Sequence, residues 1–127
     1  MPRMWILLAA LLLHHATAAE YDVSKTVTVK GTVTHVEWSN PHIHVFIEVK
    51  PQGGGTQTWD VEFPAPGAAI VAGVSKELLT PKAVLTIEGF PGKPDFHPKS
   101  VKPANSFACA KSATFADGSR VVFTVGT

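Results

Sequence analysis

Cysteine is almost absent from this chain. Cys109 is the only one in 127 residues, so no intramolecular disulfide can form and the fold must rest on its apolar core. Its setting, Phe107-Ala108-Cys109-Ala110, suits a small buried hydrophobe better than a reactive thiol. Arginine is nearly as scarce, with only Arg3 and Arg120. Lysines are scattered from Lys25 to Lys111, and from residue 20 onward ten basic side chains face ten acidic ones. A nucleic-acid binder concentrates basic charge on one stripe, and this composition argues against that class. No nucleophile elbow, H-E-x-x-H, phosphate loop or paired-cysteine motif is present, so no enzymatic activity is expected. After Leu13 no apolar run approaches the length of a membrane span.

What the chain does have begins at its start. Arg3 is followed by an apolar run from Met4 to Leu13 and by small residues at Ala16, Ala18 and Ala19. A charged residue, a short apolar stretch and an A-x-A site read as a secretory signal. Cleavage is expected after Ala18 or Ala19. Residues 1–19 are then signal peptide and residues 20–127 one exported domain, periplasmic in a Gram-negative bacterium or secreted.

Within that domain the dominant pattern is alternation. Lys25 to Val36 places Val27, Val29 and Val33 on one face and threonines on the other, as a half-buried strand does. Gly31 marks a bulge or bend, and the alternation slips near His35. His42 to Val49 turns Ile43, Val45, Ile47 and Val49 inward and His42, His44, Phe46 and Glu48 outward. A glycine-rich loop around Gly53-Gly54-Gly55 leads to a third strand, Thr56 to Phe63. Pairing Lys50 with Thr56 sets His44 opposite Glu62 and Phe46 opposite Asp60. Gly67 to Leu79 is the one helix candidate, weakened by Gly73 and β-branched residues. Val84 to Phe90 is a fourth strand, Pro91 to Pro103 a proline-rich loop, and Ser106 to Val125 a hairpin turning at Asp117-Gly118. Three meandering strands, a short helix and further strands give the order of an all-β, small OB-fold-like Greek-key barrel, with a β-sandwich as the alternative.

The chain also resembles a known group. Tyr21-Asp22-Val23-Ser24-Lys25-Thr26-Val27-Thr28, Gly31-Thr32-Val33, Glu37-Trp38-Ser39-Asn40-Pro41-His42, Trp59-Asp60-Val61-Glu62 and Asp117-Gly118-Ser119-Arg120 are similar to segments of small exported bacterial proteins classed as a domain of unknown function, number 6152. The resemblance supplies no activity. In similar proteins Ala usually precedes a His-His pair, which cleavage can leave at the mature N-terminus. Here Leu13 precedes His14-His15, and the better cleavage sites lie downstream.

The segment Glu37 to His44 is the most site-like. Two imidazoles one residue apart on a strand point the same way. Two functional expectations follow. One is a binding module for a small molecule or a protein partner in the cell envelope, using Trp38, Asn40, His42, His44 and Phe46 on the face of the second and third strands and the adjoining loops, where Phe90 and Phe96 add aromatic surface. The other is a copper or zinc site of His42 and His44 completed by His35 and Glu62, or by Asp60, with His97 able to close over it. No cofactor is otherwise implied.

Overall fold

The structure is a computed structural model that describes residues 17–95, 104 and 106–124. The expected signal segment with His14 and His15, and Phe96 and His97 in the proline-rich loop, lie outside the described residues. After a helical turn at residues 17–20, six strands and a helix follow in order: β1 (Val27–Glu37), β2 (His44–Val49), β3 (Gln57–Glu62), α1 (Pro66–Ala72), β4 (Val84–Pro91), β5 (Ser106–Phe115) and β6 (Arg120–Val122). They form one sheet in the order β3-β2-β1-β4-β5-β6, and β3 also pairs with β5 in parallel. That pairing closes β1, β2, β3, β5 and β4 into a five-stranded barrel, with β6 flanking β5. The expected barrel is therefore the fold, and the sandwich is not.

Closure depends on β1. Its first half pairs with β4, from Val27 opposite Gly89 to Thr32 opposite Val84. Its second half pairs with β2, from Thr32 opposite Glu48 to Glu37 opposite His44. The strand turns from one partner to the other around Gly31, where a Cβ would run into the Glu48 carbonyl and come within 2.9 Å of Ile47 Cγ2. The register shifts between Val33 and His35. This bulge explains the slip in alternation, because one extra residue moves every later side chain to the other face.

The inward positions are apolar. Val29, Val33, Ile43, Val45, Ile47, Val61, Leu85 and Ile87 are at most 2% exposed and belong to one core cluster. Phe63 and Phe123 meet within it at 5.1 Å between ring centroids. Ala69 from α1, and Val74 and Leu79 from the turns after it, join the same cluster. The helix is shorter than the apolar stripe suggested. Gly73, the C-cap, donates its N–H to the Ala69 and Ile70 carbonyls and adopts φ 116°, a left-handed conformation that glycine takes without steric penalty. Ile70 and Val71 are exposed. The final hairpin forms around Ala116 to Ser119, closed by the Phe115 N–H donating to the Ser119 carbonyl at 2.9 Å. Among the described residues no helix is long and apolar enough to cross a membrane.

Candidate binding face on strands two and three

The register of β2 against β3 is the one that the Lys50–Thr56 pairing implies: His44 lies opposite Glu62 and Phe46 opposite Asp60. Inward residues fix it, because Val45 and Ile47 can reach the core in only one phase. The imidazoles bond diagonally rather than straight across. His44 Nδ1 is 2.8 Å from Asp60 Oδ1, and His42 Nδ1 is 3.2 Å from Glu62 Oε1. Backbone bonds hold the approach to β2: Ile43 N–H donates to the Pro64 carbonyl, and Phe63 N–H to the Ile43 carbonyl.

In each pair the carboxylate lies inside and the ring outside. Side-chain exposure is 45% for His42 against 13% for Glu62, and 20% for His44 against 1% for Asp60. The bond to Glu62 raises the His42 pKa above the ordinary imidazole value, with burial opposing it. The bond to Asp60 does the same for His44. With Nδ1 engaged, Nε2 is the remaining nitrogen of each ring. A carboxylate behind Nδ1 fixes the ring's orientation and raises the basicity of Nε2.

The other expected site residues are distributed differently. Phe46 is 1% exposed and offers no open stacking surface. Its outward phase is as expected, but the outer face is covered at that point. His35 pairs with Phe46 and lies 5.6 Å from it, ring to ring. Trp38 packs against the core cluster, with Lys76 Nζ 5.4 Å from its ring centroid. Asn40 is exposed at the β1–β2 loop and joined to Pro41 by a cis peptide bond. Phe90 is half-buried beneath Lys111 Nζ at 5.1 Å. Among the described residues no group of three or more histidine, cysteine or acidic side chains is arranged to hold a metal ion.

Sequence reasoning missed the N-terminal contribution. Tyr21 is 1% exposed. Burial, then the nearby Glu62, Cys109, Asp60 and Glu20, push its hydroxyl pKa upward. Glu20 is half-buried, and its pKa is raised first by burial and then by Glu62, with His42 acting the other way. Cys109 is buried, and desolvation drives its thiol up to about 12, which makes it inert at neutral pH. The Tyr21-Asp22 dipeptide was visible in the sequence, but it precedes the first strand and no periodicity assigns it a face.

A family model described as "Family of unknown function (DUF6152)" matches residues 6–97. The chain belongs to this family. The match spans β1 to β4 and so includes His42, His44, Asp60 and Glu62. Membership in DUF6152 brings no activity with it. A comparison with curated proteins finds no match. Among solved structures, the chain is similar to a mitochondrial single-stranded DNA-binding protein of S. cerevisiae, Rim1 (Form2). The TM-score is 0.53 at 12% identity, covering 72% of this chain and 94% of that one. At that identity the likeness is one of fold, and it agrees with the OB-type closure by β3 and β5.

Proposed function

We propose that this DUF6152 protein is an exported, non-catalytic binding module of the cell envelope, periplasmic in a Gram-negative bacterium. It takes a small molecule or a protein partner on the outer face of β2 and β3 and on the β1–β2 loop. His42 and His44 make the polar contacts and Asn40 lines the rim, while Trp38 braces the loop from below. The observation that carries this reading is the pair of parallel imidazole–carboxylate contacts, with Asp60 2% exposed. The barrel closes around an apolar interior that does not need them. Each pair keeps its carboxylate largely buried and its imidazole partly exposed, so the rings are presented to solvent with their orientation fixed from behind.

Nucleic acid is a poor occupant. Asp60, Glu62 and Glu20 line or approach this face, and carboxylates repel the phosphates that a single-strand groove must attract. The test is thermal melting with the low-molecular-mass fraction and the soluble proteins of the native cell envelope. Wild type should be stabilised by one of them, and His42→Ala/His44→Ala should not. Equal responses from both proteins would remove the site.

A second reading, copper or zinc on His42 and His44, draws on the carboxylate behind each Nδ1. Glu62 would act behind His42, and the remaining ligands would have to come from water or a bound molecule, since His35 pairs with Phe46 instead. Titration with zinc or copper alone separates the readings. A metal-dependent rise in melting temperature that the double variant lacks supports the metal site.

A further inference from the structure

A groove that shares no residue with the β2–β3 face lies between the segment joining α1 to β4 and the hairpin joining β5 to β6. Its buried side is apolar. Phe115 is 4% exposed, and Leu78 and Ala83 are half-buried beside it. Val84, at the start of β4, is 45% exposed on the same groove. The two charged side chains that line it, Glu77 and Asp117, are both acidic and both exposed. Neither has an ion-pair partner among the described residues. The cations nearest in sequence are placed elsewhere. Lys76 Nζ lies over the Trp38 ring, Arg120 Nη2 is 4.0 Å from Glu88 Oε2, and Lys82 does not line the groove. Asp117 Oδ1 accepts the Ser119 N–H at 2.9 Å and the Ser119 hydroxyl at 2.6 Å. These bonds hold its pKa below the ordinary carboxylate value and leave Oδ2 for a partner.

We propose that this groove is an anchor point for a lysine or arginine side chain of a partner protein. Such a side chain has an apolar stem and a charged tip. The stem lies on Leu78, Ala83, Val84 and Phe115, and the tip meets Glu77 and Asp117. The size of the groove decides between a side chain and a free molecule. Its volume is about 230 Å³, below the ~300–1,000 Å³ of sites that enclose a drug-sized ligand. Ion pairs with exposed carboxylates add little affinity by themselves, so a free organic cation has too little to hold it. A side chain is delivered by a partner whose remaining contacts lie outside the groove. The two carboxylates repel nucleic acid and anionic lipid alike.

The test is an NMR titration of the exported protein with the tripeptide amides acetyl-Ala-Lys-Ala and acetyl-Ala-Arg-Ala. Acetyl-Ala-norleucine-Ala, which keeps the stem and lacks the charge, is the control. The amide signals of Leu78, Ala83, Val84 and Phe115 should shift with a basic peptide at millimolar concentration and hardly with the norleucine one. Glu77→Gln/Asp117→Asn should weaken the basic peptide about tenfold. Asparagine keeps an oxygen for the Ser119 bonds, so the hairpin should persist, and unchanged circular dichroism checks this. No shift, shifts scattered over other acidic surfaces, equal binding of the norleucine peptide, or a double variant that binds as wild type does would each overturn the proposal. Butylammonium binding as tightly as the peptides would make the groove a site for a free cation and overturn the partner reading. His42→Ala/His44→Ala should bind the peptides as wild type does, so this groove and the β2–β3 face stand or fall separately.

Discussion

His44 and Asp60 are joined by a 2.8 Å contact in which the carboxylate is almost fully buried and the ring is one-fifth exposed. They belong to adjacent rows of an antiparallel pair, and the bond runs on the diagonal between them. Such a contact is favourable when the ring is protonated and donates to an ionised acceptor. His42 and Glu62 repeat it one row along.

The first prediction concerns pH. Both imidazoles have pKa values raised by a carboxylate partner in the folded protein. A raised folded value means that the native state binds the proton more tightly than the unfolded chain. The resulting stability is fully present below the unfolded value of about 6.5 and is lost as pH rises through the folded values. The urea midpoint should therefore fall between mildly acidic and mildly alkaline pH. His42→Gln/His44→Gln should flatten that fall. At mildly acidic pH, His44→Ala alone should cost about 1.5–3 kcal/mol, the worth of a hydrogen bond to a charged group.

Gly31 is the tightest point of the barrel. A methyl group there meets the Glu48 carbonyl and Ile47 Cγ2, so β1 would have to move away from β2. Gly31→Ala should lose about 2–3 kcal/mol in urea unfolding. Gly53→Ala, where a Cβ meets nothing within 4 Å, should stay within about 0.5 kcal/mol of wild type.

Trp38 should behave as a brace. It packs on the core cluster under Lys76. Trp38→Ala should cost about 2 kcal/mol, below the range for a fully buried aromatic. Lys76→Ala should cost about 0.5–1 kcal/mol, as an exposed cation–π contact does. Trp38→Phe should retain the response to envelope fractions. Loss of that response in a stably folded Trp38→Phe would place the indole in direct contact with the ligand.

The strand pattern was legible because period-two alternation in His42 to Val49 and Thr56 to Phe63 admits one register once the apolar face is inward. The bulge at His35 was legible for the same reason, as a slip in phase. The helix was read too long because Ala68 to Leu78 keeps apolar spacing across Gly73. Only the backbone conformation of that glycine ends it. The burial of Phe46 was not legible. Alternation tells which face a side chain takes, but not what covers that face. The diagonal pairing of His44 with Asp60 was hidden likewise, since register gives the residue opposite and side-chain reach selects its neighbour.

The most direct test is native mass spectrometry of the protein purified from its own cell envelope, beside His42→Ala/His44→Ala prepared in the same way. The account predicts a bound small molecule, metal ion or protein partner on wild type that the folded double variant lacks. The mass shift would also identify which it is. The same bound species on both proteins, or none on either, would contradict the claim that His42 and His44 form a binding face.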